Sequence, residues 1–160
     1  MSKNNEASLS TLLERGGVYY NIPGAKPREI LTCLSEALPD LPALDKTELL
    51  KAVLERESLM PTALGRGIAL PHPRSSVLGA GGEPFMAVAF PALPVDWEAL
   101  DGKEVDTVIL IVSASSKQHL NTLSKITFLC QQEKIYSLLE ARAAPEEIIA
   151  ALKEAENSWE

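Results

Sequence analysis

Apolar positions along the chain follow two patterns, one with the period of a helix and one made of short continuous runs. Apolar residues spaced three and four apart predict amphipathic helices, and short runs of branched or aromatic residues predict strands. The predicted strands are residues 18–21, 68–70, 85–90, 95–97 and 105–112. The predicted helices are a short turn at residues 9–13, a helix from Pro27 to Leu38, one opening at an Asp45/Glu48 capping box, one after Ser113, and two at residues 135–141 and 145–156.

The order of these elements predicts a single α/β domain covering residues 1–160. Residues 85–90 and 95–97 are joined by too few residues for a helix, so these two runs are expected to pair antiparallel and the sheet to be mixed. Ligand sites in such sheets usually lie past the carboxyl ends of strands. Both histidines of the chain, His72 and His119, fall at such positions.

The helix after Ser113 carries the second histidine. Ser115 or Ser116 is its predicted N-cap, which places His119 in the first turn. The residues predicted to lie along one side of this helix are His119, Leu120, Leu123, Ile126 and Cys130.

Charge and composition exclude several classes of partner. The chain has 15 Lys and Arg against 22 Asp and Glu, a formal net charge of −7. Nucleic acid and anionic lipid bind to basic surfaces, so proteins or small molecules are the expected partners. No run approaches the ~18 apolar residues of a membrane span, and no secretory signal opens the chain, so a cytoplasmic location without membrane insertion is expected. Cys33 and Cys130 are predicted to be buried thiols on apolar helix faces.

Several chemistries find little support in the residues. Gly65 and Gly67 lack the third glycine of a dinucleotide fingerprint and precede a strand instead of opening a helix. No serine stands in a Gly-x-Ser-x-Gly nucleophile elbow. Neither histidine has a second ligand residue at a usual metal-binding spacing. Nucleotide binding, a serine hydrolase and a metal site are therefore not favoured.

The remaining candidate is a histidine acting as nucleophile. The lone pair of a neutral imidazole can attack a phosphoryl group when an acceptor holds the other ring nitrogen. The charge of the transferred group needs compensation, for which Arg56, the N–H groups at the serine cap and His119 are candidates. The residues leave plainer alternatives open: a rigid exposed turn at His72, an ordinary polar residue at His119, and a solvated ion pair between Arg56 and a neighbouring glutamate.

Residues 62–72, Thr-Ala-Leu-Gly-Arg-Gly-Ile-Ala-Leu-Pro-His, resemble the phosphorylation motif of a known family. This family comprises the enzyme IIA domains of the fructose/mannitol type in the bacterial phosphoenolpyruvate-dependent phosphotransferase system. The resemblance extends over about residues 9–156 and includes the acidic Glu57, the run Asp101-Gly102-Lys103 and the pattern His119-Leu120-x-x-Leu123-Ser124. It implies the type-2 IIA fold, a mixed central sheet flanked by helices on both faces.

The resemblance also implies roles for individual residues. His72 would accept a phosphoryl group from a phosphorylated carrier of the HPr/NPr type, and His119 would hydrogen-bond that histidine or its phosphate. Arg56 would help to neutralise the phosphoryl charge, and Gly65, Gly67 and Pro71 belong to the motif around the site. No metal or organic cofactor is implied. The further partners would be regulated proteins or a IIB component, and the sequence leaves the oligomeric state open.

Two departures from the motif bear on the site. Pro73 follows the active histidine where the family commonly has a small residue, which removes a backbone donor and is expected to slow transfer. Arg66, together with Arg74, is expected to add positive charge near His72. A lone domain favours the nitrogen-regulatory branch of the family. The alternatives are a standalone fructose- or mannitol-type IIA that serves a sugar permease, and a regulatory binding module that is not phosphorylated.

Overall fold

The computed structural model describes residues 7–158, which form one five-stranded sheet and six helices. In chain order the elements are α1 (Leu9–Gly16), β1 (Val18–Ile22), α2 (Pro27–Ala37), α3 (Lys46–Leu59), β2 (Ala63–Gly65), β3 (Ile68–Ala69), β4 (Phe85–Pro91), β5 (Thr107–Val112), α4 (Ser116–Cys130), α5 (Glu133–Glu140) and α6 (Pro145–Asn157). The strand order is β1-β4-β5-β3-β2. Strands β1 and β4 pair parallel, as do β3 and β5, whereas β4–β5 and β2–β3 are antiparallel. The prediction of a mixed-sheet α/β domain is confirmed.

The antiparallel pairing joins different segments from those predicted. Strand β4 pairs with β5, from Phe85 opposite Val112 to Ala89 opposite Val108. In the described chain residues 95–97 form no strand, and Val95 makes only an isolated bridge to Val105. The predicted pairing of residues 85–90 with 95–97 is wrong. Pro94 has no N–H to donate to a sheet, and the chain turns so that Trp97 is buried in the core beside α2 and α3.

Strand β2 carries no clear signal in the sequence. It has three residues and pairs antiparallel with β3, Ala63 opposite Ala69 and Gly65 opposite Ile68. Its central residue, Leu64, is exposed. A strand this short shows too little alternation of apolar and polar positions to be recognised from the pattern.

The sheet separates two apolar cores, one on each face. Helices α1, α4, α5 and α6 cover one face, and α2 and α3 cover the other. Successive strand residues point to opposite faces, so Val88 and Ile109 join the first core while Ala87 and Leu110 join the second. Strands β4 and β5 are buried along their whole length, which is why both read as continuous apolar runs.

The buried side of α4 differs from the predicted one. Its buried residues are Gln118, Thr122, Ile126, Leu129 and Cys130, whereas Leu120 is 65% exposed. A polar residue can lie on this side because Gln118 Oε1 accepts a hydrogen bond from the Ala114 backbone N–H at 2.7 Å. The predicted cap is confirmed at Ser115, whose hydroxyl accepts from the Gln118 N–H. Of the two thiols, Cys130 is buried as predicted and Cys33 is only half-buried.

Candidate active site

His72 lies past the carboxyl end of β3 on a backbone that is held from both sides. The Leu70 N–H donates to the Thr62 carbonyl at 3.0 Å, and the Ile111 N–H on β5 donates to the Pro71 carbonyl at 3.1 Å. The prolines on either side of the histidine are buried, and each ring fixes its own φ angle. The imidazole therefore projects from a rigid segment at the edge where the parallel strands β3 and β5 end.

The His72 ring has a defined tautomer. Its Nδ1 lies 2.8 Å from the Leu70 carbonyl oxygen. A carbonyl oxygen only accepts hydrogen bonds, so Nδ1 carries the proton and Nε2 keeps its lone pair. Burial lowers the pKa of His72 below the ordinary 6.5, and Arg56 lowers it further, while the bond to Leu70 and the charge of Glu57 oppose this. The net shift keeps the ring neutral, which is the nucleophilic form.

His119 lies against His72. The two ring centroids are 4.5 Å apart and the ring planes are inclined by 42°. Ser115 begins the helix so that His119, the fourth residue of α4, turns its side chain towards the end of β3. Burial lowers the pKa of His119, and His72 and Arg56 lower it further. Both imidazoles are therefore neutral near pH 7.

Arg56 reaches this pair from the end of α3. It is half-buried, and its Nη1 donates to the Met60 carbonyl at 2.7 Å. Its charge lowers the pKa of both His72 and His119, so the guanidinium lies within electrostatic range of both rings. The structure thus brings together three of the residues singled out in the sequence. We call His72, His119 and Arg56 the histidine pocket.

Glu57 supports the histidine pocket, a role that was not predicted beyond its place in the motif. Its carboxylate accepts three hydrogen bonds: from the Thr62 N–H at 2.8 Å, the Thr62 hydroxyl at 2.7 Å and the indole N–H of buried Trp97 at 2.9 Å. These bonds tie the end of α3 to the chain entering β2 and to the segment after β4. The sequence features that could have indicated this role are the position of Glu57 next to Arg56 in the motif and a tryptophan, Trp97, later in the chain.

The glycine segment forms the tight turn between β2 and β3. Gly65, Arg66 and Gly67 all have positive φ, 105°, 59° and 83°. A Cβ on Gly67 would stand 2.8 Å from Asp106 Oδ1, so both the backbone angle and the space require glycine there. The Asp101 carboxylate accepts from the Arg66 N–H at 2.8 Å and stabilises the turn.

The side chain of Arg66 does not join the histidine pocket. Its guanidinium stacks on the ring of Tyr136 in α5, 3.7 Å from the centroid. The Tyr136 hydroxyl donates to the Arg66 carbonyl at 3.2 Å, and Lys103 Nζ donates to that hydroxyl at 3.1 Å. Burial raises the pKa of the Cys130 thiol to about 12 and the charge of Arg66 opposes this rise, whereas the charges that shift the pKa of His72 are those of Arg56 and Glu57. The expectation that Arg66 adds charge near His72 is therefore corrected. We call Arg66, Tyr136, Asp101 and Lys103 the turn clamp.

Arg74 belongs to neither the histidine pocket nor the turn clamp. It is exposed and lines a cavity that His119 also lines. The expectation that Arg74 adds positive charge near His72 stays a prediction.

Metal chemistry has no candidate ligand set in the described chain. Within residues 7–158 no three His, Cys, Asp or Glu side chains form a group that could hold a metal ion. None of the helices in this part of the chain is long and apolar enough to cross a membrane.

The geometry of the histidine pocket suits covalent transfer to an imidazole. Nε2 of His72 offers a lone pair, Nδ1 is held by a carbonyl, a second neutral imidazole lies alongside, and a guanidinium provides positive charge. These are the requirements for accepting a doubly charged phosphoryl group, because such transfer depends on positioning and charge compensation.

Relatives of known type match almost the whole chain. A PTS system 2-O-alpha-mannosyl-D-glycerate-specific EIIABC component from Escherichia coli (strain K12) is 32% identical over 150 residues, which are 91% of this chain and 22% of that protein. A nitrogen regulatory protein from Pseudomonas aeruginosa is 29% identical over 152 residues, which are 93% of this chain and 97% of that protein. The chain therefore spans about a fifth of the first relative and nearly all of the second.

Solved structures share the fold. Nitrogen regulatory protein IIA-Ntr from Neisseria meningitidis superimposes with a TM-score of 0.77 at 24% identity, covering 89% of this chain and 97% of that one. The mannitol IIA protein of Escherichia coli gives a TM-score of 0.66 at 19% identity, covering 84% and 94%.

A family model also matches most of the chain. The model described as "Phosphoenolpyruvate-dependent sugar phosphotransferase system, EIIA 2" matches residues 11–155. That range runs from the first turn of α1 to the last turn of α6 and includes both histidines. The chain belongs to the EIIA 2 family of the phosphoenolpyruvate-dependent sugar phosphotransferase system.

Proposed function

We propose that this EIIA protein is a phosphocarrier in which His72 Nε2 accepts a phosphoryl group from a phosphohistidine on an HPr/NPr-type carrier protein. The observation that supports this most directly is the hydrogen bond from His72 Nδ1 to the Leu70 carbonyl, because it leaves Nε2 as the free nucleophile. In the transfer the lone pair of Nε2 forms a bond to phosphorus, the N–P bond of the donor histidine breaks, and its electrons return to the donor nitrogen. His72 keeps its Nδ1 proton, and the Leu70 carbonyl stabilises the positive charge that develops on the ring.

His119 and Arg56 compensate the charge on the phosphoryl group in this proposal. His119 donates a hydrogen bond from one ring nitrogen to a phosphoryl oxygen, a role for which its proximity to His72 is suited. Arg56 provides a positive charge that persists at any physiological pH. Gly65, Gly67 and Pro71 act indirectly, by fixing the turn and the strand end that carry His72.

The proposed role in the cell is that of the nitrogen-regulatory branch of the family. Nitrogen regulatory proteins match this chain over nearly their entire length, including one from Escherichia coli (strain K12) that is 27% identical over 161 residues, 96% of that protein. In this role the phosphorylation state controls other cytoplasmic proteins by direct contact. The second candidate is transfer to a IIB component for sugar uptake. A mannitol-specific IIA component of Staphylococcus aureus, 26% identical over 153 residues, supports it.

Intact-mass measurement tests the phosphocarrier proposal. The protein is incubated with phosphoenolpyruvate, enzyme I and an HPr/NPr-type carrier. We expect an acid-labile gain of one phosphoryl group in the wild type and in the charge control Arg28→Gln, and no gain in His72→Ala. A wild type that gains no mass contradicts the proposal and leaves the binding-module alternative. Adding a IIB component then distinguishes the regulatory role from sugar transport, because rapid transfer of the phosphoryl group to IIB supports sugar transport.

A further inference from the structure

A cavity of about 200 Å³ lies beside the histidine pocket, between the residues that follow His72 and the start of α4. Its polar lining includes Arg74, Ser113, Ser116 and His119, and Ile111 forms part of its apolar wall. His72 and Arg56 are not among the lining residues, so the cavity adjoins the histidine pocket and shares His119 with it.

Ser113 gives the first indication of a ligand. It follows β5 directly and is only 8% exposed. Its hydroxyl makes no hydrogen bond to any residue in the range 7–158. Every fully enclosed side-chain polar atom in that range has a partner, so the Ser113 hydroxyl is not fully enclosed, and this cavity is the space that Ser113 lines. A polar group this deeply buried is normally hydrogen-bonded. A ligand in the cavity would supply the partner that the Ser113 hydroxyl lacks.

The remaining polar groups favour an anion. Ser116 is the first residue of the 15-residue helix α4, where backbone N–H groups have no partner within the helix and the helix dipole is positive. Arg74 adds a guanidinium, which binds oxyanions through several donors. No Asp or Glu lines the cavity, so nothing in its lining repels negative charge.

The size of the cavity limits the ligand. Sites for drug-sized molecules measure roughly 300–1,000 Å³, and this one is smaller. We propose that the cavity binds a small tetrahedral oxyanion, either inorganic phosphate or the phosphate group of a three-carbon phosphomonoester, through Arg74, Ser113, His119 and the start of α4. The proposal concerns the unphosphorylated protein, in which His119 is not engaged by a phosphoryl group on His72, and it does not require that His72 be a phosphoryl acceptor.

Equilibrium titration of the unphosphorylated protein tests the proposal, with inorganic phosphate and glycerol phosphate as separate probes. We expect saturable binding of at least one probe below about 10 mM. Ser113→Ala is expected to weaken it about fivefold and Arg74→Gln about tenfold or more, as expected for one neutral and one charge-assisted donor. Arg28→Gln removes the same charge from an exposed site on α2 and serves as the matched control, with unchanged affinity. Thermal unfolding of each variant confirms that it is folded.

The variants distinguish this cavity from the histidine pocket. If Arg56→Gln abolishes binding while Ser113→Ala and Arg74→Gln leave it intact, the anion occupies the histidine pocket and the proposal is wrong. Absence of saturable binding of either probe also overturns it, and does so without affecting the phosphocarrier proposal, which is measured by mass gain. Tighter binding of glycerol phosphate than of inorganic phosphate identifies the phosphomonoester as the ligand class.

Discussion

The turn clamp and the histidine pocket lie at opposite ends of the short strand β3, yet they use their polar groups differently. In the turn clamp the Tyr136 hydroxyl donates to one partner and accepts from another, and the Arg66 guanidinium covers the aromatic ring. In the histidine pocket the His72 ring has one nitrogen bound and one free. The clamp therefore fixes the backbone, and the pocket retains unused bonding capacity. Arg66 therefore holds the turn, whereas His72 keeps one ring nitrogen free for chemistry.

Removing the second imidazole is expected to have the largest effect on the histidine pocket after loss of His72 itself. In His119→Ala the transferred group loses a hydrogen-bond donor, which we expect to slow phosphorylation of His72 by roughly 10² or more. The measurement is the initial rate of phosphoryl uptake from a phosphorylated carrier. Gln131→Ala, at the exposed C-cap of the same helix, is the control. A wild-type rate in His119→Ala contradicts the role assigned to this ring.

Arg56→Gln is expected to reduce the same rate about tenfold and to change its pH dependence. The reacting imidazole must be neutral, and Arg56 lowers the pKa of both His72 and His119. Without Arg56 both pKa values rise, so as the pH falls the rate begins to drop at a higher pH than in the wild type. A pH–rate profile from pH about 5 to 8 checks this, since histidine titrates in that range. A shift of the profile to lower pH is inconsistent with the assigned electrostatics.

Glu57→Gln is expected to destabilise the fold that carries the pocket. The amide has one acceptor oxygen in place of two charged ones, so bonds to Thr62 and Trp97 weaken or are lost. We expect a decrease of about 1–3 kcal/mol in the free energy of unfolding, measured by urea denaturation. The exposed neighbour Glu55→Gln is the matched control and is expected to change stability by less than about 0.5 kcal/mol. Equal effects at the two positions rule out a specific role for Glu57.

Arg66→Gln tests the turn clamp and is expected to have the smallest effect. The cation–π contact with Tyr136 contributes about 0.5–1 kcal/mol at an exposed site, so stability decreases by no more than that amount. The rate of phosphoryl uptake should stay within about twofold of the wild type, because Arg66 lies outside the histidine pocket. A rate loss as large as that of Arg56→Gln shows that Arg66 reaches the phosphoryl group during transfer.

Local signals were sufficient for much of the fold. The strands β4 and β5 could be predicted because burial on both faces makes them continuous apolar runs, and α4 could be placed by its serine cap. The isolated bridge from Val95 to Val105 could not be predicted, because it depends on the placement of β5 between β4 and β3. Pairing partners depend on the whole sheet, and local periodicity contains no information about them.

The candidate site, like the fold, could be predicted only where the sequence carries a local signal. His72 and His119 were identified because a short motif and a helix cap place them at the ends of strands that prove to be parallel neighbours. The direction of Arg66 depends on Tyr136, which lies 70 positions later and gives no local signal. Ser113 is an unremarkable serine in the sequence, and only its burial beside a cavity distinguishes it.

The two edges of the sheet are short, and this affects how the protein meets other chains. Edge strand β1 has five residues with an irregular register, and edge strand β2 has three. Long, flat edges invite strand addition and aggregation, whereas short edges offer few unpaired backbone groups. Pro23 follows β1 closely and Pro61 precedes β2, which further limits extension of either edge. We therefore expect other proteins to recognise this one mainly through its side chains, because either edge offers few backbone groups for strand addition.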